Sequence, residues 1–158
     1  MAKLSKILVP TDFSAVGNRA VEFAVNLAKA NRAKLILMTA LDDLPLTEEE
    51  MMMLRVSVDK VKAGNQKQID VALRKLKKLI GPAVQKKLRV QFMVRDGKPF
   101  MEIIRAAAET GADLIVMSSH GHNRLAEILL GSTTDRVVQK APCSVLVVRE
   151  KQRDFKIP

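Results

Sequence analysis

Residues 6–39 read KILVPTDFSAVGNRAVEFAVNLAKANRAKLILMT, two short apolar runs with a helical pattern between them. The runs KILVP (6–10) and KLILMT (34–39) are nearly continuous in hydrophobicity, as strands buried on both faces of a parallel sheet are. Residues 14–30 place Ala20, Phe23, Ala24 and Leu27 on one stripe, while Asn18, Glu22, Asn26 and Lys29 point elsewhere. Ser14 supplies the side-chain oxygen an N-cap needs. The stretch is therefore expected to form strand, helix and strand, the crossover that joins parallel neighbours.

The same alternation continues. LRVQFMV (88–94), ADLIVM (112–117) and SVLVV (144–148) are three further strand candidates, the first alternating more than the others. Helices are expected over 66–80, with Ile69, Leu73, Leu76 and Ile80 inward; over 99–110, opening on Pro99 and stopping before Gly111; and over a short 132–140. Strand and helix in alternation predict a single-domain, doubly wound α/β parallel sheet with right-handed crossovers. The least regular region is 41–65, where Thr47 and the three glutamates after it mark a helix start. Met51, Met52 and Met53 are expected to fill gaps in a helix packed on the sheet edge, with a lid or partner surface as the alternative.

At 158 residues the chain fits one domain, 1–150, followed by a basic tail, 151–158. Trp and Tyr are absent, so the core must be aliphatic. No apolar run is long enough to span a bilayer, and Asp12 interrupts any leader-like segment near the start. A cytoplasmic protein with no membrane partner is expected. A single Cys143 excludes an intrachain disulfide, and two histidines give no zinc cluster. Cys143, after Pro142, is expected to be a packed side chain.

The net charge of +10 directs attention to anionic partners. The basic stretch from Lys67 to Arg89 has no interleaved aromatic residue to stack bases, so it reads as a solvated helix face, and nucleic acid is not the expected partner. SVLVV would form an edge strand, which invites pairing with a second copy.

In open α/β sheets ligands bind beyond the carboxyl ends of the strands, where successive connections leave on opposite faces. Two loops have that position: PTDFS, carrying Asp12, and SSHG after the fourth strand. Neither a P-loop nor a G-x-G-x-x-G fingerprint is present. Gly121 and Gly131 are expected to turn with positive φ and expose their amides, the second directly before Ser132, Thr133 and Thr134 at the start of the last helix. Unpaired amides, the positive dipole end and hydroxyl donors together suit an anion. The same residues also fit a plainer pattern, with Gly131 closing a turn at 125–130 and Ser132 or Thr133 capping the next helix. Asp12 would in that case cap the first helix from just outside. His120 is expected to form a wall of the site, because no nucleophile and orienting carboxylate accompany it as they would a general base. His122 and Arg124 lie between the glycines, within reach of phosphate or simply facing solvent.

KILVPTDFS, GKP, ADLIVMSSHG and LLGSTTDRVVQKAPCSVLVV, in that order, resemble the universal stress protein family along nearly the whole chain. Its nucleotide-binding members carry G-x-x-G-x9-G-[ST]. The resemblance implies a five-stranded sheet in order 3-2-1-4-5, ATP in the crevice between the first and fourth strands, magnesium as its companion, and a homodimer paired through Ser144 to Val148. By position, Gly121, Gly131 and Ser132 match the second glycine, third glycine and hydroxyl of the motif, and Thr133 and Thr134 continue the phosphate-facing turn. Asp12 matches the acidic residue near ribose and metal, flanked by Pro10 and Thr11, and Ala40 the position whose backbone recognises adenine. Met117 and His120 would line the cleft. Ser118 departs from the pattern, standing where the motif has its first glycine.

The implied function is an ATP-binding stress-response regulator that switches with nucleotide and acts on an unidentified protein. Any hydrolysis would be slow, since no clear water-activating base is present. The Ser118 departure raises an alternative, a dimer that binds no nucleotide and serves as an interaction module. A nucleic-acid-binding protein, argued from charge alone, ranks below both.

Overall fold

The computed structural model describes residues 3–42, 48–55, 57–120 and 130–149. In chain order the elements are β1 (Lys6–Pro10), α1 (Ala15–Asn31), β2 (Lys34–Leu41), α2 (Glu48–Met53), α3 (Val58–Leu79), α4 (Pro82–Lys87), β3 (Val90–Asp96), α5 (Pro99–Thr110), β4 (Leu114–Ser118), α6 (Ser132–Lys140) and β5 (Ser144–Val148). The strands form one parallel sheet in order β3-β2-β1-β4-β5. The doubly wound fold and the strand order are those expected from the sequence.

The apolar runs are continuous because the central strands have no face in water. Ile7, Leu8, Val9, Leu35, Ile36 and Leu37 are all fully buried, each contributing about 1.5–3 kcal/mol relative to exposure. Successive residues point to opposite faces and build two cores. Ile7, Val9, Leu35, Leu37 and Val116 pack with Ala24 and Ala28 of α1 and Leu76 of α3. Leu8, Ile36, Met38, Ile115 and Met117 pack with Ile103 and Ala106 of α5 and Val137 of α6. Edge strands β3 and β5 are half-buried through most of their length.

Ser14 caps α1 as expected, accepting from the Gly17 amide at 3.1 Å. The buried side of α1 holds Ala20 and Ala24 of the expected stripe, with Leu27 packed at its border, but not Phe23. Val16, Ala20, Val21, Ala24, Val25 and Ala28 face the sheet, and Phe23 is 46% exposed. Small side chains let the helix lie close to the strands, and a ring at 23 would hold it off. α3 begins eight residues before the expected helix at 66, and the short α4, opened by Pro82 after Gly81, was not anticipated. Met52 and Met53 of α2 are 80% and 85% exposed, so they do not fill gaps on the sheet edge.

α5 ends as expected on Gly111, in the left-handed conformation at φ 62. At its start Gly97 has φ 136, and a Cβ there would come within 3.2 Å of the Glu102 carboxylate, a buried group paired with Arg105. At the opposite rim of the sheet the Asp113 carboxylate accepts from the Ser5 and Lys6 amides, both at 2.8 Å. Those two hydrogen bonds, helped by the Lys6 charge, hold its carboxyl below the usual range against the effect of desolvation. Desolvation, with Asp113 nearby, pushes the half-buried Cys143 thiol up.

Candidate functional site

β1 and β4 are neighbours, aligned Ile7 to Leu114 and Leu8 to Ile115. The chain leaves β1 for α1 on one face and leaves β4 for α6 on the other. The strand ends therefore diverge around a crevice, the topological switch point where α/β folds bind ligands.

One wall is the β1–α1 loop. Its Thr11 amide bonds the Met38 carbonyl at 2.9 Å, which ties the loop to β2. The Phe13 amide donates to Thr11 Oγ1 and the Ser14 amide to Asp12 Oδ1, both at 3.0 Å. Phe13 adopts φ 64, which is uncommon for a residue with a side chain, and its ring carries the Lys75 ammonium of α3 5.5 Å from its centroid. Gly17 follows one turn into the helix, where a Cβ would lie 3.0 Å from Asp12 Oδ1 and 3.1 Å from both Ser14 Oγ and Thr11 Oγ1. Its missing side chain is what lets three polar side chains converge over the start of α1. Asp12 does brace this helix from outside, as one of the two expectations had it.

The other wall runs from the end of β4 to the start of α6. Ser119 is buried; its amide donates to the Val148 carbonyl at 3.0 Å, and its own carbonyl accepts from the Gly131 amide at 2.8 Å. Thr134, 3% exposed, donates its hydroxyl to the Ser118 carbonyl at 2.9 Å. Ser118 Oγ donates to the His120 carbonyl at 2.8 Å. His120 Nδ1 lies 2.9 Å from Ser119 Oγ, and its Nε2 is buried with no hydrogen-bond partner. Among the described residues no carboxylate is hydrogen-bonded to this histidine.

Two expectations change here. Gly131 has φ −60 and ψ 151, extended backbone open to any residue, so it does not turn with positive φ. It is itself the N-cap of α6, which leaves Ser132 and Thr133 inside the helix in place of capping it. The Gly131 amide and the Thr134 hydroxyl are both committed within the fold and are not free donors. What remains is the first turn of α6. Its N-cap glycine makes no side-chain cap, and the Ser132, Thr133 and Thr134 amides precede its first hydrogen bond, from the Asp135 amide to the Gly131 carbonyl at 2.9 Å. The Ser132 side chain is exposed and that of Thr133 half-buried.

Pro10 and Ala40 are half-buried at the ends of β1 and β2, and Met117 is buried in the core beneath the crevice. Gly121, His122 and Arg124 lie outside the described residues, as does the tail 151–158. Among the described residues no three acidic, histidine or cysteine side chains cluster to hold a metal ion. Nor is any described helix long and apolar enough to cross a membrane.

Comparison with known proteins fits this architecture. A model of the universal stress protein family matches residues 3–149. The chain belongs to the universal stress protein family. Among its relatives, universal stress protein MJ0577 of Methanocaldococcus jannaschii is 32% identical over 92% of this chain and 95% of its own. The solved structure of MJ0577 superposes with a TM-score of 0.73 over 96% of this chain and 100% of that one. Universal stress protein UspA from Lactobacillus plantarum is 27% identical with a TM-score of 0.72, covering 94% of this chain and all of its own. A universal stress protein described in complex with cAMP is 25% identical, with a TM-score of 0.66 over 95% of this chain and 100% of that one.

Sequence reasoning singled out the two loops that flank the β1–β4 junction of this universal stress protein but passed over Ser119 and Gly17. Ser119 was hidden between two residues already assigned to the crevice. Gly17 had a visible signal, a glycine three residues after Ser14, in the first turn of a helix whose entering loop also carries Thr11 and Asp12.

Proposed function

We propose that this universal stress protein binds ATP in the crevice between β1 and β4, with magnesium carried on the phosphates, and acts as a nucleotide-dependent regulator in a cytoplasmic homodimer. The observation that carries the proposal is the juxtaposition, across adjacent strands, of the Asp12 loop with the glycine-capped N-terminus of α6. Leading amides and the positive end of a helix dipole fit a phosphate, and each dipole contact contributes about 0.3–1 kcal/mol. The relative complexed with cAMP supports the adenine nucleotide class.

In this reading Ser132 and the amides of Ser132, Thr133 and Thr134 hold phosphate oxygens, with Gly121 and the bare Cα of Gly131 allowing close approach. Asp12 serves the ribose and one coordination position of the metal. Backbone groups of Ala40 select adenine, while Pro10, Thr11, Met117, Ser118 and His120 complete the lining. Bound ATP supplies a charged γ-phosphate whose presence or loss the crevice loops can register. Homodimerisation uses the outer edge of β5, which pairs only with β4 in the sheet. The regulated partner is another protein.

A specific observation favours the second reading, an interaction module without nucleotide. Ser118 Oγ is bonded to the His120 carbonyl and the Gly131 amide to the Ser119 carbonyl, so part of the second wall is satisfied without a ligand.

The test is to denature the purified protein, identify any released nucleotide, and measure unfolding with ATP and magnesium. Stoichiometric ATP is expected, with stabilisation of about 2.7 kcal/mol at a hundredfold excess over Kd. An empty protein that shows no thermal shift would transfer the assignment to the interaction module. Gly131→Val, compatible with the observed φ and ψ, should fold normally and lose the shift. Light scattering should give about 35 kDa, twice the 17.5 kDa chain mass.

A further inference from the structure

Between Lys67 and Arg89 the chain carries eight lysines and arginines and one carboxylate, Asp70, a net +7 out of the protein's +10. All eight cations are exposed, and among the described residues none forms an ion pair. Asp70 is engaged by Gln66 Nε2 at 3.0 Å.

Helix stability accounts for only part of this charge. Lys77 and Lys78 in the last turn of α3, and Lys86 and Lys87 in that of α4, complement the helix dipoles. Arg74, Lys75, Lys67 and Arg89 do not. Arg74 stands three and four residues before Lys77 and Lys78, and Lys75 three before Lys78, spacings at which like charges oppose the helix.

The two helices that carry the cations are also fixed to one another. Gln85 Nε2 donates to the Lys77 carbonyl at 3.1 Å and the Ile80 carbonyl at 2.5 Å, locking α4 against the end of α3. Leu76, Ile80 and Leu88 anchor this corner in the core. Arg89 reaches the Arg32 carbonyl at 3.4 Å, which brings the exposed Arg32 to the same rim.

We propose that the α3–α4 face binds the phosphate backbone of double-stranded nucleic acid without reading its sequence. From Lys67 to Lys78 the helix advances about 16 Å, and a duplex presents a charge about every 1.7 Å of its axis, so the cations along it meet several phosphates. The missing aromatics exclude stacking on unpaired bases but cost a backbone contact nothing. Among the described residues no exposed large hydrophobic side chain falls between 67 and 89. A bilayer would therefore receive a basic patch without the second, apolar signal that stable attachment takes. None of these eight cations is among the residues assigned to nucleotide binding in the crevice.

The test is fluorescence anisotropy of a labelled 25-base-pair duplex with the full-length protein between 50 and 200 mM NaCl. Four phosphate contacts give a log-log slope of about −3.6, roughly a 150-fold loss of affinity across that range. Replacing Lys67, Arg74 and Arg89, three of the cations the helix dipoles do not explain, by glutamine should reduce the slope to about −1. Replacing the exposed Lys3, Lys98 and Lys140, which removes the same charge elsewhere, should leave it near −3.6. Thermal unfolding verifies that both variants fold. Equal losses in the two variants would overturn the proposal in favour of bulk charge. So would an absence of salt-sensitive duplex binding, tighter binding to a single strand of equal length, or binding only to vesicles containing phosphatidylserine.

Discussion

Replacing Thr134 by valine removes a hydroxyl and keeps the branched shape of the side chain. That hydroxyl, on a residue 3% exposed, donates to the carbonyl of Ser118 at 2.9 Å and fastens the start of α6 to the end of β4. A neutral hydrogen bond contributes about 1 kcal/mol net, and an abandoned buried carbonyl costs up to about 3 kcal/mol. Ser118 is only half-buried, so water recovers part of the loss, and about 1.5 kcal/mol is expected. For a chain of this size that lowers Tm by about 3–6 °C. Urea denaturation and a thermal scan would measure the loss, with Thr134→Ser as the variant that restores it, and an ATP titration would run in parallel. Because the bond is internal, nucleotide affinity should change far less than stability. Unaltered stability with a tenfold or greater loss of ATP affinity would refute this reasoning and return Thr134 to the phosphate-binding donors.

Other consequences can be checked in the same way. Ser14→Ala should destabilise by about 1 kcal/mol through loss of the α1 cap, and Ser14→Asp should recover most of it in urea melts. Gly97→Ala should cost more than Gly111→Ala in the same melts: Gly97 combines φ 136 with Glu102 at 3.2 Å, whereas Gly111, at φ 62, would meet only the Lys6 ammonium, at 3.6 Å. Asp113→Asn should be slightly less stable than the parent at pH 7. Because the folded pKa is depressed, that contribution is complete above the unfolded value of about 3.9 and disappears as pH falls through the lower folded value, so the two proteins should converge in acid. Native Cys143 should alkylate with iodoacetamide at pH 7 more slowly than in urea, as its thiol is pushed up by burial.

The sheet was legible because its central strands are buried on both faces, and such burial leaves unbroken apolar runs such as KLILMT. Helix orientation was less so. Counting large side chains put Phe23 inward beside Ala20 and Ala24, whereas close approach to a sheet favours alanine and valine, and Val21 and Val25 take that side instead. The beginning of α3 was invisible to apolar periodicity, with residues 58–66 reading VDKVKAGNQ, although α4 carried a proline signal that went unused. At the crevice, residue types and chain order pointed to the two loops that leave the adjacent strands β1 and β4. Which amides remain available was not readable, because it depends on how near the end of β4 comes to the start of α6. Gly131 shows this well: it sits where the motif predicts, yet its amide is bonded to Ser119.

The contact between Phe13 and Lys75 joins the loop bearing Asp12 to the helix bearing the cations. A strained residue is thus a shared bearing between two otherwise separate faces. Any occupant of the crevice that rotates Phe13 repositions one positive charge of α3. By thermodynamic reciprocity, a polyanion that captures Lys75 must then alter the crevice occupant's affinity by the same factor.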